Sequence, residues 1–198
     1  MYPLFETVCI NNGLLMHGKW HELRFENAYR IYYGKNPAYR LFDEIEIPEA
    51  CKEGIFKLRI SYNEFSKITE FEKYSIRDIF TLKLVEDNQI NYNLKLTDRT
   101  QLNRLFSKKG DCDDILIVKN GWVTDSLYCN IVFSDGTGWF TPSAPLLKGT
   151  ARARLIAEGS ISEKSITVDD ILSYRHFKLI NAMRDFDRIE AVKMEHIK

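Results

Sequence analysis

The stretch DDILIVKNGWVTDSLYCNIVF, residues 113–133, carries the clearest pattern of secondary structure in this chain. An apolar run at 115–118 leads into Asn120-Gly121, and strand-like segments follow at 122–124 and 131–133. An Asn-Gly pair supplies the positive φ angles that a tight hairpin turn needs, so the stretch predicts short strands joined by sharp reversals. This is the pattern of a β-meander.

The meander continues downstream of this stretch, through a turn at 135–136 and a strand-like segment at 139–140. The segment LLKGTARARLIAEG, residues 146–159, predicts a loop that opens a helix after Gly149. The segment VDDILSYRHFKLINAM, residues 168–183, predicts a helix followed by a strand. The C-terminal half is therefore expected to be rich in antiparallel strands with a few helices.

The N-terminal half mixes strands with one clear helix. LFETVCINNGLLM, residues 4–16, predicts a hairpin that turns at Asn12-Gly13. The segment 20–33 predicts a helix that stops at Gly34. Its helical period is carried by Trp20, Leu23, Ala28 and Ile31.

Between the predicted helix and the meander, alternation of apolar and polar residues predicts three more strands. They are IFKLRISYN at 55–63, KITEFEKYSI at 67–76 and FTLKLVED at 80–87. RTQLNRLFSKK, residues 99–109, predicts a short amphipathic helix. Taken alone, these patterns indicate an α+β protein and no particular function.

Composition narrows the classes of partner and compartment. The 198 residues contain 28 Lys plus Arg and 28 Asp plus Glu, so the net charge is zero and nucleic acid or an anionic membrane is not the expected partner. The four cysteines are widely spaced and predict neither a metal site nor a disulfide framework, which suits a reducing cytoplasm. No apolar run is long enough for a membrane span.

Six stretches, taken in order, resemble one family. They are FET, WHELRF, NLKLTDR, the 113–133 stretch, WFTPSAPLLKGTARARL and LINAM. In this order and at this spacing they are similar to the class IV aminotransferases, which are pyridoxal-phosphate enzymes of fold type IV. The resemblance implies a two-lobed α+β fold, with a small lobe at 1–78 that carries the phosphate-binding arginine and a larger cofactor-binding lobe at 79–198. It also implies pyridoxal 5′-phosphate as cofactor, a small-molecule amine as substrate, no metal and a homodimer.

Lys95, in NLKLTDRT, stands where the family has the lysine that forms a Schiff base with the cofactor. Such a lysine needs an amine that is partly neutral, and later acts as general base at the substrate carbon. Read only from its neighbours, Lys95 is the polar residue of an alternating strand with its ammonium in water. The resemblance favours the catalytic interpretation.

Asp125 stands where the family usually has a glutamate that bonds the pyridine nitrogen and keeps it protonated. Aspartate is one methylene shorter, so the contact needs a shift of backbone or cofactor. The alternative is an aspartate that caps a turn. Asn130 matches a family asparagine in the same block, which we interpret as structural.

The cofactor phosphate is assigned by resemblance to the start of the 150s helix and to one arginine. Gly149, Thr150 and Ala151 match the family's glycine-led phosphate loop, and helix N-termini bind phosphate through amides that lack internal partners. Arg24 matches the arginine of the family's His-x-x-Arg element. Asn181 falls where the family places a small polar residue near the phosphate. Without the family, a helix cap and a surface arginine are the simpler readings.

Two arginines are candidates for the substrate. Arg59, on the 55–63 strand, is predicted to bind a substrate carboxylate, and pairing on the sheet surface is its alternative. Arg99, four residues after Lys95, is the second candidate, because the resemblance links this spacing to lyase-like members.

The resemblance leaves three functions open. The first is 4-amino-4-deoxychorismate lyase, which releases 4-aminobenzoate and pyruvate for folate synthesis. The second is an aminotransferase acting on branched-chain or D-amino acids. The third is a degenerate, non-catalytic homologue, suggested by the aspartate at position 125.

Overall fold

The computed structural model describes residues 1–198, which divide into two compact units. The first unit comprises Met1–Ile76 together with Leu94–Asp98, and the second comprises Arg77–Asn93 and Arg99–Lys198. The expected lobes at 1–78 and 79–198 place Lys95 in the second lobe. In the structure, the short segment Leu94–Asp98, which carries Lys95, packs with the first unit.

The first unit contains one helix, four strands and a short 3-10 turn. The elements are β1 (Leu4–Asn11), β2 (Leu14–Leu15), α1 (Gly18–Tyr33), the 3-10 turn Glu49–Cys51, β3 (Ile55–Tyr62) and β4 (Lys67–Lys73). The strands form one antiparallel sheet in the order β2-β1-β3-β4. Its core is built from β1, β3 and α1 and includes Leu94.

Local sequence accounts for the two sharp reversals at the start of this unit. Asn12 and Gly13 have φ angles of 48° and 77°, which confirms the predicted Asn-Gly hairpin between β1 and β2. Gly34 has a φ of 72° and its N–H donates to the Arg30 carbonyl at 2.9 Å. A left-handed residue closes a helix in this way, so the predicted end of α1 is confirmed.

The buried face of α1 differs from the predicted one. Leu23 and Ile31, two of the apolar positions used for the prediction, are about half exposed. The face that packs on the sheet is formed by His21, Phe25, Ala28 and Tyr29. The simple apolar period misses this face, because a buried histidine with a carboxylate partner takes the place of an aliphatic residue.

The second unit contains two α-helices and eight strands. They are β5 (Leu82–Glu86), α2 (Thr100–Phe106), β6 (Asp114–Lys119), β7 (Trp122–Ser126), β8 (Asn130–Ser134), β9 (Trp139–Pro142), α3 (Thr150–Ala157), β10 (Ser162–Lys164), β11 (His176–Ile180) and β12 (Val192–Lys193). The strand order is β10-β9-β8-β7-β6-β5, and β11 pairs with both β8 and β12. The predicted meander of the 113–133 stretch is therefore confirmed.

Most strand pairs of this sheet are antiparallel, and the pairs β5/β6 and β9/β10 are parallel. The helix predicted in the 168–183 segment is a short 3-10 helix, Asp169–Ser173, before β11. In this segment Asp170 accepts bonds from both the amide and the hydroxyl of Thr167, a local turn that competes with an α-helix. The α+β class is confirmed, and no helix is both long and apolar enough to cross a membrane.

Candidate active site

Lys95 is held against the first strand of the first unit. The Phe5 amide donates to the Lys95 carbonyl at 3.1 Å, and Leu4 and Leu96 form an antiparallel bridge. The Lys95 ammonium lies 4.7 Å from the centre of the Phe5 ring. The half-buried Lys95 therefore has a backbone fixed by β1 and a side chain that extends over an aromatic face.

A buried ion cluster centres on Glu6, the residue after Phe5. Its carboxylate is fully buried and accepts two hydrogen bonds from Arg24, from Nε at 2.7 Å and from Nη2 at 2.6 Å. The Nδ1 atom of buried His21 lies 2.7 Å from the same carboxylate. His21 and Arg24 are three residues apart on α1, so one helix face presents both groups to β1.

The protonation states in this cluster follow from its contacts. Burial raises the pKa of the Glu6 carboxyl, but the charges and hydrogen bonds of Arg24 and His21 more than offset it, and the pKa falls to about 2. Burial lowers the pKa of His21, and the charges of Arg24 and Lys95 lower it further against the opposing effect of Glu6. Glu6 is therefore ionised and His21 neutral, donating from Nδ1.

Arg59 lies close to Lys95 in the first unit. Its guanidinium carbon is 3.7 Å from the centre of the Phe5 ring, the ring over which the Lys95 ammonium also lies. Its Nε donates to the Ser61 hydroxyl at 3.2 Å, and a longer contact of 3.7 Å reaches exposed Glu70. Three predicted site residues, Arg24, Arg59 and Lys95, are thus gathered around Phe5 and Glu6.

In the second unit, Asp125 is a buried carboxylate on β7. Its Oδ1 accepts from the Asn130 side-chain amide at 2.7 Å, and its Oδ2 accepts from the Leu147 backbone amide at 2.9 Å. Burial raises the pKa of Asp125 to about 6, while these two donors and the charge of Arg152 act in the opposite direction. The carboxylate is thus held by N–H dipoles, and both of these hydrogen bonds come from uncharged groups.

The predicted phosphate loop lies at the start of α3. Gly149 is the residue before the helix, and the side chains of Thr150 and Ala151 are buried. The first backbone amides of a helix have no intrahelical acceptor, so this end of α3 can bind an anion. A Cβ at Gly149 would lie 1.9 Å from the Asn130 Oδ1 atom, so a side chain larger than hydrogen does not fit there.

Asn181 and Arg99 both bind the backbone just before Asn130. The Asn181 amide nitrogen lies 3.3 Å from the Tyr128 carbonyl and 3.2 Å from the Cys129 sulfur. Arg99 donates to the Leu127 carbonyl at 2.6 Å and lies 4.3 Å from the centre of the Tyr128 ring. Asn181 and Arg99 thus lie in the same unit as Asp125 and the phosphate loop. The contacts of Arg99 stabilise the loop at 127–128.

Sequence reasoning missed two members of this arrangement. Glu6 and His21 were quoted within family motifs, but neither was assigned a role. The available signal was the spacing in HELR, residues 21–24, which places a histidine and an arginine on one helix face. No group of three or more His, Cys, Asp or Glu side chains is arranged to hold a metal ion.

The donor set suits the cofactor implied by the resemblance. Pyridoxal phosphate needs an amine for its aldehyde, a carboxylate for its ring nitrogen, and amides with an arginine for its phosphate. The first unit offers Lys95 and Arg24, and the second offers Asp125, buried and held only by N–H donors, and the start of α3 beside Gly149. Each unit therefore contains groups of the required chemistry.

Comparison with known proteins identifies the family of this chain. An uncharacterised protein of Haemophilus influenzae is 40% identical over 185 residues, which is 92% of this chain and 98% of that one. A crystal structure from Haemophilus somnus 129PT, provisionally described as a 4-amino-4-deoxychorismate lyase, has a TM-score of 0.83 at 32% identity and covers 94% of this chain and 98% of its own.

A second solved structure shows the same fold at lower identity. An aminotransferase from Brucella abortus bound to pyridoxal phosphate has a TM-score of 0.73 at 15% identity, covering 98% of this chain and 80% of its own. The family described as amino-transferase class IV matches residues 3–192. This chain belongs to the class IV aminotransferase family.

Proposed function

We propose that the protein is a pyridoxal-phosphate-dependent lyase that converts 4-amino-4-deoxychorismate into 4-aminobenzoate and pyruvate. The observation that carries the proposal is the 32% identity, over nearly the full length of both chains, to the Haemophilus somnus protein provisionally described as this lyase. The four-residue spacing of Lys95 and Arg99 supports the same assignment.

The cofactor is pyridoxal 5′-phosphate, and this chain has residues for each of its ends. Lys95 holds it covalently, Asp125 binds the ring nitrogen, and Arg24 with the amides of Thr150 and Ala151 binds the phosphate. When bound, the cofactor withdraws electrons from the substrate carbon that carries the amine. Gly149 and Asn181 are the remaining predicted contacts, and they shape the loop and the backbone beside it.

Lys95 moves the proton in the proposed reaction. With the substrate amine at the cofactor, the Lys95 amine would remove the proton from the amine-bearing ring carbon. The carbon–oxygen bond to the enolpyruvyl group then breaks, and that group takes up a proton to leave as pyruvate. No water or oxidant is consumed, because loss of the enolpyruvyl group leaves an aromatic ring.

Charged groups around Phe5 suit an anionic substrate. Arg59 lies against the same ring as Lys95 and is the proposed partner of a substrate carboxylate. The Glu6 carboxylate fixes the orientation of the Arg24 guanidinium through two hydrogen bonds. Arg99 is the second predicted substrate residue.

Transamination is the second candidate, because it is the reaction for which the family is named. In this case Lys95 shuttles a proton between two carbons and a branched-chain or D-amino acid becomes a keto acid. A homologue that binds the cofactor without turnover is the third, and the aspartate at position 125 remains its motivation.

One pair of assays separates these functions. Purified protein with pyridoxal phosphate is incubated with 4-amino-4-deoxychorismate, and release of 4-aminobenzoate and pyruvate is measured. The same protein is tested for transfer of an amine to a keto acid. Release of both products without transamination supports the lyase, strong transamination without release overturns it, and neither activity with bound cofactor points to the degenerate homologue.

We also infer a cytoplasmic homodimer whose partner is a small-molecule amine rather than nucleic acid. The balance of 28 basic and 28 acidic residues supports a protein without a polyanionic partner. Light scattering coupled to size exclusion tests the assembly, and a mass equal to a single chain of 23.2 kDa contradicts the dimer.

A further inference from the structure

The Asn130 side chain connects two parts of the proposed cofactor site. Its amide nitrogen donates to Asp125 Oδ1 at 2.7 Å and to the Leu147 carbonyl at 2.9 Å. The Leu147 amide in turn donates to the second oxygen of Asp125 at 2.9 Å. Asp125, Asn130 and Leu147 thus form a closed ring of three hydrogen bonds. Leu147 lies two residues before Gly149, the first residue of the phosphate loop.

The sheet fixes the position of Asn130. It is the first residue of β8, where its backbone is paired with Asp125 of β7 on one side and with Ile180 of β11 on the other. Both Asn130 and Asp125 are more than nine-tenths buried. The side chain therefore starts from a backbone held on two sides and has little freedom to move away from the carboxylate.

Gly149 shows how closely Asn130 approaches the phosphate loop. Its φ of −68° and ψ of 147° are open to any residue, so backbone conformation does not explain the glycine. Space does, because a Cβ at this position would lie 1.9 Å from Asn130 Oδ1 and 3.1 Å from its Cγ. The start of α3 thus packs directly against the side chain that holds Asp125.

We propose that Asn130 is a positioning residue that holds the Asp125 carboxylate and the start of α3 at a fixed separation. We call this arrangement of Asn130, Asp125 and Leu147 the clamp. This inference rests on the proposed function, in which Asp125 binds the ring nitrogen of pyridoxal phosphate and the start of α3 binds its phosphate. With both ends set by one side chain, the two contacts form together. The clamp also defines where a carboxylate one methylene shorter than glutamate is placed.

Binding of two ligands tests this coupling. Calorimetry measures the affinities of the wild type and of Asn130→Ala for pyridoxal 5′-phosphate and for pyridoxal, which lacks the phosphate. Loss of a hydrogen bond to a charged group predicts weaker binding of pyridoxal phosphate by about 10-fold or more. The preference for pyridoxal phosphate over pyridoxal also decreases, because the phosphate end is no longer aligned with the ring end.

Thr141→Val is the matched control, since it removes another buried hydrogen bond of the same sheet. The Thr141 hydroxyl is fully buried and donates to the Ile131 carbonyl at 2.9 Å. This variant keeps the wild-type preference between the two ligands. A preference unchanged in Asn130→Ala as well would overturn the clamp, because Asn130 would then act on the ring end alone.

Two measurements without cofactor test the same contacts. In Asn130→Ala the pKa of Asp125, followed by carbon NMR of its carboxyl, rises above about 6 because a donor to the ionised form is lost. Gly149→Ala destabilises the protein, and the double variant Gly149→Ala/Asn130→Ala recovers part of that loss since the clashing atom is gone. An unchanged pKa, or a double variant no more stable than Gly149→Ala, contradicts the proposal.

Asn130→Leu provides the same test should the alanine variant not fold, because it keeps the branched shape of the side chain and removes the amide donor without adding a charge. The same decrease in ligand preference and the same rise in the pKa of Asp125 are expected. Failure of the wild type to bind pyridoxal phosphate would remove the proposed function. Wild-type binding with an unaltered preference in the Asn130 variants would remove the clamp alone.

Discussion

Two fully buried carboxylates, one in each unit, have opposite acid–base properties. The pKa of Glu6 is lowered to about 2, and the pKa of Asp125 is raised to about 6. Burial acts in the same direction on both. The difference is the partner, because Glu6 contacts the Arg24 guanidinium and His21, whereas Asp125 accepts from an amide side chain and a backbone amide.

The Glu6 and Asp125 carboxylates suit different tasks. Glu6 remains ionised throughout the physiological range, so it can fix Arg24 permanently. Asp125 lacks a contacting cation, and a pyridinium nitrogen is a cation of the right kind to complete its surroundings. The aspartate at position 125 is thus compatible with the proposed cofactor contact, and its hydrogen-bonded clamp gives it a defined place.

Removal of the Glu6 charge is expected to have the largest effect on stability. Glu6→Gln leaves the largely buried Arg24 without its ionic partner, and breaking a buried pair costs about 3–5 kcal/mol of unfolding free energy. Urea denaturation measures the loss. A decrease below about 1 kcal/mol would contradict the buried pair.

The contributions of the two carboxylates to folding stability should change with pH in opposite directions. Glu6 contributes stability that is present above its usual pKa of 4.5 and is lost as the pH falls towards about 2. Asp125 does the reverse, because its raised pKa makes the folded state less stable as the pH rises from 3.8 to about 6. Each shift corresponds to roughly 3 kcal/mol.

Denaturation of the wild type, Glu6→Gln and Asp125→Asn at a series of pH values measures both windows. The unfolding free energy of the wild type should exceed that of Glu6→Gln at neutral pH, and the difference should shrink as the pH falls from 4.5 towards about 2. The unfolding free energy of the wild type should fall relative to that of Asp125→Asn as the pH rises towards about 6. Parallel pH curves for the wild type and Asp125→Asn would contradict the raised pKa of Asp125.

A smaller effect is expected from Arg24→Lys, which keeps the charge but loses the planar fork. Affinity for pyridoxal 5′-phosphate should fall by about 10-fold, while affinity for pyridoxal stays nearly unchanged, since the phosphate is the part of the ligand that Arg24 is proposed to contact. Arg30→Lys, on the exposed side of the same helix, is the control and should bind both ligands like the wild type. Equal losses for the two ligands would argue against a phosphate role for Arg24.

The smallest effect is expected at the exposed ion pair of the first sheet. Glu70 is exposed and its contact with Arg59 is long, at 3.7 Å, so Glu70→Gln should change the unfolding free energy by less than about 0.5 kcal/mol. This variant is also the control for Glu6→Gln. A loss of unfolding free energy comparable to that of Glu6→Gln would mean that burial is not the reason why the Glu6–Arg24 pair contributes more to stability than the Glu70–Arg59 pair.

Local sequence was sufficient for much of the fold. The Asn-Gly pairs at 12–13 and 120–121 specify hairpins through positive φ angles, and Gly34 ends α1 for the same reason. The buried face of α1 could not be predicted from its apolar period, because His21 is buried through its bond to Glu6. That contact depends on the packing of α1 against β1.

The candidate site was predictable only through the order of its motifs. Lys95 lies over Phe5, ninety positions earlier in the chain, and no local pattern reports such a contact. The approach of Asn130 to Gly149 is also a tertiary contact, although a glycine with an ordinary φ angle is a sign of limited space.

The central claim is that Lys95 carries the cofactor. It is tested most directly by borohydride reduction of the protein with pyridoxal 5′-phosphate, followed by peptide mass spectrometry, with Lys95→Ala as the comparison and Lys57→Ala, on β3 of the same unit, as the control. We predict a single modified peptide containing Lys95, absent in Lys95→Ala and retained in Lys57→Ala. A modification on another lysine, or one that persists in Lys95→Ala, would contradict the account.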